Sequence, residues 1–224
     1  TSAFSGNTFD GFSYSEYARK GFFELCAVSA INLSIIISIN LFCHKENGVK
    51  PKGIKFFTIF IIIASLTHII TALSKMVLYI SNQGLTHLRV YTSWFMVLLF
   101  IFFIFIFIKT INAKFKMYIS MFCVFTIMLG GLCFSNVDYR IADFNIKGYI
   151  NGDIEKLDMR NIQYNLSESA ILAAVKYVDN DKVSDLMREY LNDVYIPNDD
   201  SNPLYWSFEN YLAQNALDEY LMSA

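Results

Sequence analysis

The chain has 224 residues, 54% hydrophobic and 17% charged, and a mean hydropathy of +0.37, which is too apolar for a soluble domain of this size. Its charges are divided: eleven Lys/Arg against four Asp/Glu up to Asn136, then seven against sixteen from Val137, so that +7 and −9 sum to −2. Two solvents are implied, a bilayer and then water, and the acidic second part, which has no cysteine, is not a disulfide-stapled secreted module.

Residues 1–20 read as an extracytoplasmic or interfacial lead-in. They begin with Thr1 and show no basic n-region before a short apolar stretch, so the chain is expected to be the C-terminal part of a longer protein. Four segments follow, 21–43, 54–81, 87–108 and 115–135, each with the roughly 20 mainly apolar residues that cross a hydrocarbon core of ~30 Å. Each is predicted helical, because backbone groups in lipid must satisfy one another within the segment. The stretch Trp94 to Ile108 has no charged side chain. These segments make 21–136 a transmembrane domain whose first partner is the lipid bilayer.

Orientation is read from the basic residues. Lys45, Lys50, Lys52 and Lys55 lie in the first connection, and Lys109, Lys114 and Lys116 follow the third span, which makes both connections cytoplasmic. The tight Asn82 to Thr86 connection and the acidic tail are then extracytoplasmic. Residues 137–224 read as a small helical soluble domain, with helices expected at Ala142–Ile150, at Glu168–Val178 after a Ser167 cap, at Lys182–Val194 and at Leu204–Met222 after Pro203. The fold class is therefore all-α, a four-transmembrane-helix segment of a polytopic protein followed by a helical domain with a possible protein partner.

Polar groups in a span are energetically costly and mark sites or anchors. Glu16, Arg19 and Glu24 near the first span, Lys75 in the second, and Arg89 and Tyr91 in the third collect at the outer leaflet boundary. One reading is a charged ligand-binding pocket that opens outward, with Glu24 paired to Lys75 or Arg89. The other is interfacial anchoring, with Lys75 snorkelling and Tyr79, Tyr91 and Trp94 in an aromatic belt. Deeper, Asn32 and Asn40 are placed to face His68, and Thr71 and Lys75 follow His68 on one stripe.

The three histidines, His44, His68 and His87, fall at different depths and cannot share an ion, so no metal is expected. HExxH, phosphate-loop and GxSxG motifs do not occur, which leaves no catalytic residue, cofactor or nucleic-acid partner to expect and no enzyme class indicated. Gly130 and Gly131, with Ser120, Cys123 and Thr126, give the fourth span a small-residue packing face. The Phe-rich third span is expected to meet lipid or further helices.

The strings Tyr14-Ser15-Glu16-Tyr17-Ala18-Arg19-Lys20-Gly21-Phe22-Phe23-Glu24-Leu25 and Leu88-Arg89-Val90-Tyr91-Thr92-Ser93-Trp94-Phe95-Met96 resemble a bacterial multi-pass membrane family of unassigned function, the domain of unknown function 4153/4173 group. Asn136-Val137-Asp138, Phe144-Asn145-Ile146, Leu157-Asp158 and Leu166-Ser167 resemble the passage from that family's membrane domain into its tail. The resemblance implies preceding membrane helices as partners and a multi-pass place in the cell membrane. It implies no reaction. The functional expectation is small-solute transport or envelope-signal sensing, with a membrane enzyme acting on a lipid-linked or envelope substrate, or a structural assembly subunit, as alternatives.

Overall fold

The computed structural model describes residues 14–42, 51–194 and 208–223. Among them every regular element is a helix: α1 (Tyr14–Phe42), α2 (Lys52–Gln83), α3 (His87–Ile111), α4 (Met117–Cys133), α5 (Val137–Asn151), α6 (Met159–Asn165), α7 (Ser169–Tyr177), α8 (Ser184–Asp193) and α9 (Phe208–Ser223). The described residues fall into two compact units. One runs to Tyr79 and includes Tyr91–Gly131; the other joins Ile80–Val90 to the chain from Leu132 onward.

In the first unit, α2 with 32 residues and α3 with 25 are long and apolar enough to cross a membrane. α4 has 17 residues, about 26 Å at the helical rise, and in α1 the apolar stretch is Glu24–Ile39. Two helices thus meet the requirement, or three if α4 is continued into α5 as one broken span, rather than the four expected. The sequence windows counted residues 115, 116, 134 and 135, which lie outside α4. Helix α1 also begins seven residues inside the expected lead-in, whose first thirteen residues, like 43–50, lie outside the described residues.

α2 buries Thr58, Ile62, Ser65, Ile69, Ala72 and Met76, alternating steps of four and three that draw one seam along the helix. α1 buries Phe22, Ser29 and Ile36, and Asn32 Nδ2 donates to Ser65 Oγ at 3.0 Å, a polar bond between helices. α3 buries Met96, Leu98, Leu99, Phe103 and Ile106, so the Phe-rich helix is a core element as well as a surface one. Trp94, expected in an aromatic belt, donates its indole N–H to Met128 O at 3.2 Å and stands edge-on to Phe125, which ties α3 to α4. Lys109, in the last turn of α3 where the helix dipole favours a cation, donates from Nζ to Ala113 O at 2.6 Å and Phe115 O at 2.8 Å in the connection to α4. On the glycine face of α4, a Cβ on Gly130 or Gly131 would meet nothing within 4 Å among the described residues. Phe57, Phe60, Ile63, Phe122 and Ile127 are exposed, the surface a lipid-facing helix presents.

The second unit is built round α7, which packs on α5, α8 and α9. α7 turns Ala170, Ile171, Ala173 and Ala174 inward. Three alanines let neighbouring helices approach closely, while Ile146, Ile171, Met187 and Leu191 fill the space between. Tyr190 joins this core, and burial, then Glu168, pushes its phenol up to about 12. Three expectations are corrected. α5 begins at Val137, not Ala142, because Asn136 caps it; α6 was not foreseen, being only about two turns long; and Ser167 does not cap α7, which starts after Glu168 with no side-chain cap. Residues 195–207, including Pro203 and Leu204, lie outside the described residues.

Candidate functional site

Three residues, Gly84, Leu85 and Thr86, separate α2 from α3. A turn this short needs a residue with positive φ, and Gly84 supplies it at φ +75°; a Cβ there would lie 2.6 Å from Asn145 Oδ1. Gly84 N–H closes α2 on Ile80 O at 2.9 Å. Arg89, in the first turn of α3, donates to Gln83 O at 2.9 Å and to Gly84 O. Its guanidinium thereby satisfies carbonyls that the end of α2 leaves open.

The middle of the turn is held from α5. Leu85 N–H donates to Asn145 Oδ1 at 2.5 Å, and Asn145 Nδ2 donates to Leu85 O at 2.9 Å. One side-chain amide thus pairs both backbone groups of a residue that belongs to no helix, and it is buried, 7% exposed. Two helical turns earlier on α5, the Asp138 carboxylate bonds His87, the first residue of α3. Its other oxygen accepts from Ser167 N–H at 3.1 Å, so Asp138 joins the α2–α3 turn to the segment before α7.

Asp138 is placed by its helix start. Asn136 takes the left-handed conformation, φ 45° and ψ 66°, and its side chain accepts from Tyr139 N–H at 3.2 Å. That leaves Asp138 in the first turn, where the helix dipole favours a negative charge. Burial pushes the carboxyl up, but the hydrogen bonds from Ser167 and His87 and the charge of His87 outweigh it, and the carboxyl titrates below its ordinary value. A second pin sits on the surface of the unit: Lys176 and the Tyr177 hydroxyl both reach Asp143 Oδ1, at 2.6 and 3.0 Å. Asp143 holds the Lys176 ammonium above its ordinary value, and burial, then Asp143, raises Tyr177.

Of the residues the sequence singled out, Arg89 is in this site, but as a clamp on the turn. Glu24 and Lys75 are exposed on α1 and α2, and no ion pair joins them. Tyr91 is exposed. Glu16 and Arg19 ride on the first turns of α1, and their side chains, like that of Asn40, lie outside the described residues. Asn32 bonds Ser65, while His68 is exposed. Sequence reasoning missed Asp138 and Asn145 as a pair. The available signal was their spacing of seven residues, which puts both on one face of α5, together with the glycine in a three-residue connection. Among the described residues no group of three or more His, Cys, Asp or Glu gathers as metal ligands do.

The family model described as "Domain of unknown function (DUF4153)" matches residues 3–177, a span that contains every residue of the latch on the α2–α3 turn. No curated protein and no solved structure matches the chain.

Proposed function

The chain belongs to the DUF4153 family of unknown function, and we propose that it is a four-span, non-enzymatic protein of the cell membrane that senses a signal outside the cytoplasm. The observation that carries this reading is the latch: His87–Asp138 and Leu85–Asn145 bind the turn between α2 and α3 to the helical unit that follows α4. A helix hairpin held by four directed hydrogen-bonding groups moves with whatever holds it, so a ligand or partner on the helical unit shifts α2 and α3 as a pair. Four spans fit the same contacts. If α3 crosses from the turn, a return through α4 brings Asp138 back to His87, and the apolar stretch Glu24–Ile39 of α1 is the candidate for the remaining crossing. The basic connections put the turn and the acidic unit outside.

The site favours sensing over catalysis. Asp138 takes His87 on one oxygen and the Ser167 N–H on the other, and a carboxylate held below its ordinary pKa is a weak general base. The test is complementation of a strain lacking the protein, read as its transcript profile. Wild type restores the profile, and Asp138→Asn with Asn145→Ala, inserted in equal amount, does not. Full restoration by the unlatched variant would refute the sensing reading.

A further inference from the structure

α2 carries a second stripe that is exposed among the described residues. Thr67, His68, Thr71, Ser74 and Lys75 are all exposed, on a helix otherwise apolar enough to span a membrane. The hydroxyls of Thr67, Thr71 and Ser74 fold back onto carbonyls of their own helix, which removes much of their polarity. His68 and Lys75 have side chains that cannot be neutralised this way, and an ionisable group facing hydrocarbon is unfavourable. The stripe therefore calls for a protein cover that brings an acceptor or a negative charge.

The first unit itself exposes that charge at the same depth. The Asn32–Ser65 bond sets the register of α1 against α2. Glu24 lies eight residues before Asn32, about 12 Å along α1, and Lys75 ten residues after Ser65, about 15 Å along α2. α1 and α2 are consecutive, with only residues 43–51 between them, and as spans they run antiparallel, so both offsets lead towards the same membrane face. Each residue also lies roughly 80° round its helix from the bonded residue. Because the helices run oppositely, both rotations point to the same side of the α1–α2 pair. Glu24 and Lys75 thus stand side by side on one exposed face, level with each other and not ion-paired.

We propose that this face is the interface of a symmetric dimer with a second copy of the chain, in which Glu24 of each copy pairs with Lys75 of the other. A two-fold axis along the membrane normal keeps every residue at its depth and sets α1 of one copy opposite α2 of its partner, so a face carrying one acid and one base at a single level complements itself twice. The same contact covers His68 and Thr71. This inference is independent of the sensing reading and survives its failure.

The test uses the full chain in membranes. Two differently tagged copies without the native cysteines, one Glu24→Cys and the other Lys75→Cys, are coexpressed and treated with a short bis-maleimide. A cross-link carrying both tags is expected, and it is lost when Val77→Cys replaces Lys75→Cys. In vesicles, energy transfer between labelled copies should report a wild-type dimer. Glu24→Lys or Lys75→Glu alone should weaken it on the order of a hundredfold, since like charges then meet at two contacts, and the two changes in one chain should restore it. Single wild-type chains in the bilayer would overturn the proposal, with lipid or another helix of the same protein as the cover. So would a double variant no better paired than either single one when all are inserted equally.

Discussion

Asn145 is the residue on which the latch turns, because its amide supplies both the acceptor and the donor that Leu85 requires. Alanine would strand the partly buried N–H and C=O of Leu85, each worth about 1–3 kcal/mol when fully buried. We expect Asn145→Ala to destabilise the second unit by about 2–4 kcal/mol, read as a lower midpoint of chemical unfolding in micelles. Aspartate at the same position should not rescue it, since a carboxylate cannot donate to Leu85 O. Asp138 adds a pH signature. Its carboxyl titrates lower folded than unfolded, so its stabilisation is fully present above the unfolded value of about 3.9 and is lost as pH falls through the lower folded value. Unfolding followed from pH 6 downward should show an acid-labile component below about pH 4 that Asp138→Asn removes; an unchanged profile in that variant would contradict the assignment.

At the scale of elements, the turn and α7 both demand small side chains, the one for backbone conformation and the other for packing. Gly84→Ala meets both a positive φ and the Asn145 amide, whereas a Cβ on Gly148 would meet only the Ile154 side chain, 2.7 Å from its Cδ1, which can rotate away. Gly84→Ala should therefore cost at least about 1 kcal/mol more stability than Gly148→Ala, measured as the difference in thermal midpoints. On α7, Ala174→Leu inserts three carbons where the residue is 0% exposed. It should cost about 1–3 kcal/mol and loosen α5 and α9 together, visible as faster amide exchange in both helices.

The same elements show what was legible in the sequence. Long apolar runs announced α2 and α3, because transfer into lipid depends on composition and length alone. The stripe Ile171, Leu172, Val175 and Val178 placed α7, although the alanines between them proved as buried as the isoleucine. The latch was not legible. It joins residues 51 and 60 positions apart, and nothing local in Asp138 or Asn145 distinguishes a partnered side chain from a solvated one. Depth along a helix can likewise be read from sequence, but a partner cannot: Arg89 bonds Gln83 O and Gly84 O, contacts that depend on the path of the turn.

At the scale of the whole molecule, the α2–α3 turn and the helices after α4 form one assembly, which we propose lies outside the cytoplasm. The proposed side rests on the lysines of the first and third connections, whereas the joining of turn to tail follows from His87–Asp138 and Leu85–Asn145. The most direct measurement fuses alkaline phosphatase, active only outside the cytoplasm, after Ala224 and inserts a cytoplasm-folding fluorescent protein into the connection from His44 to Lys55. The account predicts an active phosphatase and a bright connection in the same cells. An inactive phosphatase with a dark connection would put the latch on the cytoplasmic face and contradict the sensing of an external signal, and any mixed result would contradict the four-span path itself.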